Sequence, residues 1–151
     1  MTVHTNRQDL ASDRLREGIQ RLREGAFRAA QDAFQAATEL APRAAETHFY
    51  LGCAFEKQGD AVAAERAFRA ALELEPTHGP AAHLLAALLS AQEDRVEEAL
   101  SWFERAIVLQ PDDPQVRRNL AVLQLFLGKI DEGRENMLRA VKLLGVELRT
   151  I

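Results

Sequence analysis

One cysteine, one tryptophan and one tyrosine stand among 151 residues. A single thiol excludes an internal disulfide framework and a cysteine-rich zinc site. No apolar run approaches the roughly 18 residues a spanning helix requires, so no membrane insertion is expected. The opening stretch up to Gly18 lacks the apolar segment of a secretory signal, and the default location is cytoplasmic. An excess of positive charge is also missing: 23 acidic side chains against 19 basic ones leave a net charge of −4, which argues against a general nucleic-acid binder. Val, Ile, Thr and Tyr are sparse and no period-two alternation is sustained, so the residues and the pattern that a sheet prefers are both absent.

What the chain does have is helix-forming material. Hydrophobic residues make up 47% and charged residues 28%, the balance of an ordinary folded domain rather than a disordered chain. Alanine is about a sixth of the sequence, with Leu, Glu, Arg and Gln supplying much of the rest; all five are strong helix formers. An all-α fold follows.

The sequence repeats itself. Pro42, Pro76 and Pro111 are spaced by 34 and 35 residues and close similar phrases, AFQAATELAP, AFRAALELEP and WFERAIVLQP. A fourth phrase, NMLRAVKLLG, has Gly145 in place of the proline. Phe34, Phe68, Phe103 and Met137 recur in step, as do Ala37, Ala71, Ala106 and Ala140. Ala30, Ala64, Ala99 and Gly133 form a third series, and Gly18, Gly52, Ala86 and Ala121 a fourth. The interval from Ala86 to Ala99 is one residue longer than its counterparts, which places an inserted residue around Gln92-Glu93-Asp94, in a turn where insertion costs least.

Each period divides into two helical phrases, giving about eight helices of 12–15 residues. Ala64, Phe68, Ala71 and Leu72 fall at i, i+4, i+7 and i+8, one stripe of a helix. Gly25, Gly59 and Gly128 follow the first helices, where a positive φ closes the end. Asp60 and Asp131 suit N-cap or first-turn positions, and Asp113-Pro114 reads as a cap followed by proline at the first helical position. One helix pair cannot cover its own apolar stripe, so pairs stack on their neighbours, and the small residues let helices approach closely.

These residues resemble the tetratricopeptide repeat. Leu51, Gly52, Phe55, Gly59, Ala64, Phe68, Ala71 and Pro76 match the family pattern in the second copy. The third matches through Leu85, Ala86, Leu89, Ala99, Phe103, Ala106 and Pro111, and the fourth through Leu120, Ala121, Gly128, Met137 and Ala140. The first copy matches in its second helix, through Phe27, Ala30, Phe34, Ala37 and Pro42. The resemblance implies a right-handed superhelix of antiparallel helix pairs, an α-solenoid. Four repeats lie at about 11–44, 45–78, 79–113 and 114–145 within a single domain over 9–145. Residues 1–8 read as a mobile leader, and 146–151 as a short apolar tail. Pentatricopeptide repeats, which bind RNA, lack this Gly and Pro pattern.

In the family the concave face is lined by the first helices and holds an extended peptide or a helix. The resemblance puts Leu15, Ile19 and Leu22 on that face in the first repeat and Phe49, Cys53 and Lys57 in the second. His83 and Ala87 follow in the third, and Arg118, Asn119, Val122, Leu125 and Phe126 in the fourth. This face is apolar for one that meets water, and an apolar patch marks an interaction site. Some members clamp the C-terminal carboxylate of chaperones with Lys, Asn and Arg. The matching places here read Leu15, Ile19, Tyr50, Pro80 and Leu84, so the clamp is absent.

The fourth repeat is more apolar outside than its predecessors. Leu138 stands where Gln35, Arg69 and Glu104 stand earlier, and Leu144 where Glu75 and Gln110 do. Leu138, Val141, Leu144 and Leu148 therefore need a cover: the tail folding back, a second copy in a homo-oligomer, or another protein. Charge is uneven too. Residues 26–116 carry 7 basic and 15 acidic side chains, whereas 117–151 carry 7 basic and 4 acidic, a polarity that favours a basic partner near the centre or head-to-tail contact.

No catalytic constellation emerges. His4, His48, His78 and His83 have no metal-ligand spacing. Cys53, between Gly52 and Ala54, reads as a small packing residue. Nucleophile elbow, phosphate loop and dinucleotide fingerprint are all missing. The chain reads as no enzyme and needs no cofactor. The expectation is a protein-binding adaptor or assembly factor whose partner is a protein or peptide. The alternatives are a secretion-type chaperone that masks a partner segment, and a self-assembling scaffold built through the fourth repeat.

Overall fold

The computed structural model describes residues 6–145. Among them are eight α-helices: α1 (Arg7–Arg23), α2 (Phe27–Leu40), α3 (Ala45–Lys57), α4 (Ala61–Leu74), α5 (Gly79–Ser90), α6 (Val96–Leu109), α7 (Pro114–Phe126) and α8 (Ile130–Leu143). No strand occurs among the described residues. The fold is all-α and built of helix pairs, as the repeated phrases require. The inserted residue lies where the lengthened interval puts it: a short 3-10 turn, Glu93–Arg95, separates α5 from α6.

Helix ends follow from local chemistry. After α1, Gly25 has φ 76°, Gly59 after α3 has φ 80° and Gly128 after α7 has φ 76°. The backbone closes identically at each. Ala26 N–H donates to Arg21 O at 2.9 Å, Asp60 N–H to Phe55 O at 3.0 Å, and Lys129 N–H to Gln124 O at 2.8 Å. This six-to-one bond needs a left-handed residue, which glycine adopts without a Cβ penalty. The Asp60 carboxylate accepts from Ala63 N–H at 3.0 Å, and the Asp113 carboxylate from Gln115 N–H at 2.8 Å. Asp131 is the first-turn acid of α8, whose cap position is Lys129 with no side-chain cap bond.

At the N-terminus Asn6 caps α1, and Arg7 is already helical. Asn6 Oδ1 accepts from Asp9 N–H at 2.9 Å while the Asp9 carboxylate accepts from Asn6 N–H at 3.4 Å. This reciprocal pair satisfies two of the orphan donors at a helix start. Arg7 Nη2 then donates to Glu39 O at 2.8 Å and ties α1 to the end of α2. Residues 1–5 and the tail 146–151 lie outside the described residues.

The chain groups into two compact units, Met1–Ala81 and Ala82–Ile151. In a repeat array each helix touches its neighbours and little else, so contact falls off along the chain.

In the first unit α1 packs on α2, α2 on α3 and α3 on α4, with α1 also meeting α3. Phe34 and Phe68 are fully buried, and each such ring contributes about 1.5–3 kcal/mol by leaving water. Their seats are glycines: a Cβ on Gly18 would overlap the Phe34 ring, and a Cβ on Gly52 would lie 2.6 Å from Phe68 Cε1. The small-residue series thus serves the contact between the two helices of one pair. In the second unit α7 packs on α6 and α8, around buried Leu85, Leu89, Phe103 and Val116. A Cβ on Gly133 would lie 2.7 Å from Leu125 Cγ and 3.1 Å from Ala121 O. A polar chain supports this pair: Asn136 donates to buried Gln124 Oε1 at 2.9 Å and accepts from Arg117 at 3.2 Å.

Candidate protein-interaction site

The second unit carries an open concavity of about 650 Å³ lined by Ala87, Ser90, Phe103, Arg118, Asn119, Val122, Leu123, Phe126 and Met137. Helix α7 supplies most of it. Arg118, Val122 and Phe126 are four residues apart, so the 3.6-residue turn sets them one above another. Val122 is 55% exposed and Phe126 75%. Leu123, Phe103 and Met137 form the less exposed floor. The hollow combines apolar area with a guanidinium and an amide among its lining groups.

Of the residues expected on the concave face, Ala87, Arg118, Asn119, Val122 and Phe126 meet in this hollow. His83 stands beside it. Its Nε2 is 2.9 Å from Asn119 Nδ2, and its ring lies 6.0 Å from the Phe103 ring. Asn119 is therefore held in place by a histidine one repeat earlier. Leu125 does not line the hollow. Its side chain sits over Gly133 of α8, because one residue along a helix turns a side chain through about 100°.

In the first unit the apolar residues expected on this face are less exposed than Val122 and Phe126. Leu15, Ile19 and Leu22 are partly buried and pack against the Ala30–Phe34–Ala54 cluster, together with Tyr50 and Leu51. Cys53 is buried. Burial pushes its thiol up to about 12, with Glu56 adding to the rise and Lys57 opposing it. Such a thiol stays protonated and inert at neutral pH. Lys57 is exposed near the end of α3.

Phe49 belongs to a second, smaller hollow of about 420 Å³, lined by Glu46, Phe49, Tyr50, Glu75, Thr77, His78, Gly79 and Pro80. Its ring centroid is 4.8 Å from that of His78 and 5.2 Å from that of Tyr50. Tyr50 in turn stacks on buried Phe34 at 5.5 Å. Burial raises the Tyr50 hydroxyl above its ordinary range, the Glu46 and Cys53 charges add to it, and Arg23 offsets part. His78 Nδ1 accepts from Ala81 N–H at 3.1 Å and so caps the start of α5.

Sequence reading of the concave face did not include Glu75, Thr77 or His78, because the face rule covers first helices and not the connection after α4. Leu123 escaped for a different reason: a buried position of α7 also lines the hollow. On α8, Leu138 and Leu144 are exposed and Val141 is half-buried; Leu148 lies outside the described residues. Among the described residues no group of three or more His, Cys, Asp or Glu is placed to hold a metal. None of the described helices is long and apolar enough to cross a membrane.

Several solved structures share this fold. MamA superposes with a TM-score of 0.80 at 18% identity, over 89% of this chain and 78% of that one. Pseudomonas aeruginosa PilF superposes with a TM-score of 0.83 at 22% identity, over 93% of this chain and 64% of that one. The first tetratricopeptide domain of Spaghetti (RPAP3), solved with the HSP90 peptide SRMEEVD, gives 0.76 at 20% identity, over 83% of this chain and 98% of that one. Among curated proteins no sequence match was found. The tetratricopeptide-repeat profile matches residues 15–79 and again 51–114. With its glycine-seated aromatic rings and left-handed helix closures, the chain belongs to the tetratricopeptide-repeat family.

Proposed function

We propose that this protein is a non-catalytic interaction module, an adaptor or assembly factor, that takes an apolar-anchored peptide or helix of a partner protein along α7. The observation that carries the reading is the pair Val122 and Phe126, one helical turn apart and both mostly in water beside the larger hollow. Exposed aromatic side chains at a concave apolar surface are the anchors that dominate binding energy in protein interfaces. Arg118 and Asn119 on the rim supply hydrogen-bond donors to a peptide backbone or an acidic side chain. The RPAP3 domain, solved with a peptide, supports peptide capture as a use of this fold. The carboxylate clamp positions read Leu15, Ile19, Tyr50, Pro80 and Leu84 in this chain, so the proposed ligand is anchored by an apolar side chain and not by its C-terminus. A chaperone that masks a partner's segment uses the same hollow and differs only in the fate of its client.

The test compares two exposed residues of the second unit. The partner segment recovered with the wild-type protein is titrated calorimetrically against Phe126→Glu and Val108→Glu. Val108 is 77% exposed on α6 and does not line the hollow. Phe126→Glu weakens binding at least thirtyfold, roughly a 2 kcal/mol anchor, while Val108→Glu leaves it unchanged. Equal binding by both variants overturns the reading.

A second reading, self-assembly through α8, has its own observation: Leu138, Leu143 and Leu144 are all exposed on the last described helix.

A further inference from the structure

The smaller hollow in Met1–Ala81 has a chemistry that the α7 site lacks. One wall is aromatic: the Phe49 ring, with the Tyr50 and His78 rings packed around it. Glu46, in the first turn of α3, and Glu75, which ends α4, also line it. Neither carboxylate has an ion-pair partner among the described residues. His78 is fixed by its capping bond to Ala81 N–H. With Nδ1 accepting from this backbone N–H, the ring is held in one orientation beside the Phe49 ring. Within the same unit, residues 26–81 hold 8 acidic side chains against 5 basic ones.

We propose that this hollow binds an arginine side chain of a partner protein, its guanidinium laid against the Phe49–Tyr50–His78 wall and paired with Glu46 and Glu75. The negative quadrupole of a ring face attracts a cation. A planar guanidinium stacks on such a face and forks to carboxylates, whereas a lysine ammonium is a strongly hydrated point charge. The hollow of about 420 Å³ is open to solvent, so the ligand enters as a side chain on a backbone that stays outside. This inference goes beyond the α7 site and does not depend on it. It uses different residues and a different class of ligand, so either can fail alone.

The experiment titrates the full chain, labelled with nitrogen-15, with N-acetyl-arginine amide, and separately with N-acetyl-lysine amide. Arginine amide shifts the backbone signals of Phe49, Thr77, His78 and Gly79 along a saturable curve with a dissociation constant on the order of millimolar. The double variant Glu46→Gln/Glu75→Gln, both positions exposed, weakens binding roughly tenfold. The Phe49 ring also lies 6.1 Å from that of Phe68, and Phe49→Leu, which keeps an apolar side chain there, abolishes the preference for arginine over lysine. The proposal is overturned if these signals do not move, if the Gln pair binds as well as wild type, or if lysine amide binds wild type as tightly as arginine amide.

Discussion

Gly52 and Phe68 occupy one volume: the Cβ that Gly52 lacks would sit 2.6 Å from Cε1 of the buried ring. Gly18 holds the same relation to Phe34. Replacing Gly52 by Ala improves helix propensity by about 1 kcal/mol, but the fully buried ring has no room to retreat, and overpacking of this kind costs about 1–3 kcal/mol. Chemical denaturation should show Gly52→Ala less stable than wild type. A midpoint equal to or above wild type would mean that α3 and α4 move apart without cost.

The closures after α1, α3 and α7 make a contrasting prediction. Gly59 has φ 80° and open space where a Cβ would stand. Gly59→Ala is strained by its backbone rather than by a neighbour, and costs about 1–2 kcal/mol. Gly59→Asn should recover part of that loss, because asparagine visits the left-handed region more readily than alanine. No comparable rescue is expected for Gly52→Asn, where the obstacle is a ring.

Cys53 should resist labelling in the folded protein. Its thiol is pushed up to about 12, so at pH 8 about one molecule in ten thousand carries the thiolate that reacts. Iodoacetamide at pH 8 should modify the unfolded chain far faster than the native one. Because the raised group stays neutral up to about 12 while the unfolded thiol ionises nearer 8.5, its linkage contribution favours the fold below the unfolded value and is lost as pH climbs between the two.

His78 caps α5 through Nδ1. His78→Ala removes that acceptor and should lower stability by about 1 kcal/mol, and His78→Asn, a favoured cap residue, should restore most of it. Thermal melts of the two variants check this. Equal melts would show that packing of the ring against Phe49 outweighs the cap.

If α8 mediates self-assembly, Leu138→Glu with Leu144→Glu lowers the mass seen by sedimentation at micromolar concentration. A mass that does not change with concentration in the wild type would remove the scaffold reading.

The pattern of buried positions was legible because it is periodic. Phe34, Phe68 and Phe103, the alanines after them and the small residues facing them are buried as their spacing demands. Periodicity also located the 3-10 turn, since one extra residue between Ala86 and Ala99 has to leave the helices. The start of α1 was missed although its signal, Asn6 with Asp9 three residues on, is in the sequence; no earlier copy existed against which to compare it. The site was less legible than the core. A face rule assigns residues to a side of a helix, but it does not say whether the next pair covers them. Leu15, Ile19 and Leu22, assigned to that face, are partly buried against Ala30, Phe34 and Ala54. Val122 and Phe126 were placed by the same rule and are exposed. Leu125 shows the resolution of the rule: one position from Phe126, it rests on Gly133.

Because each buried ring in Met1–Ala81 finds its glycine inside its own hairpin, a copy of residues 45–78 inserted after 78 would bring both halves of that fit with it. Growth or loss by whole hairpins, at gene level or in the laboratory, leaves every such fit intact, whereas a crossover between Gly52 and Phe68 must find a compatible match in the other parent.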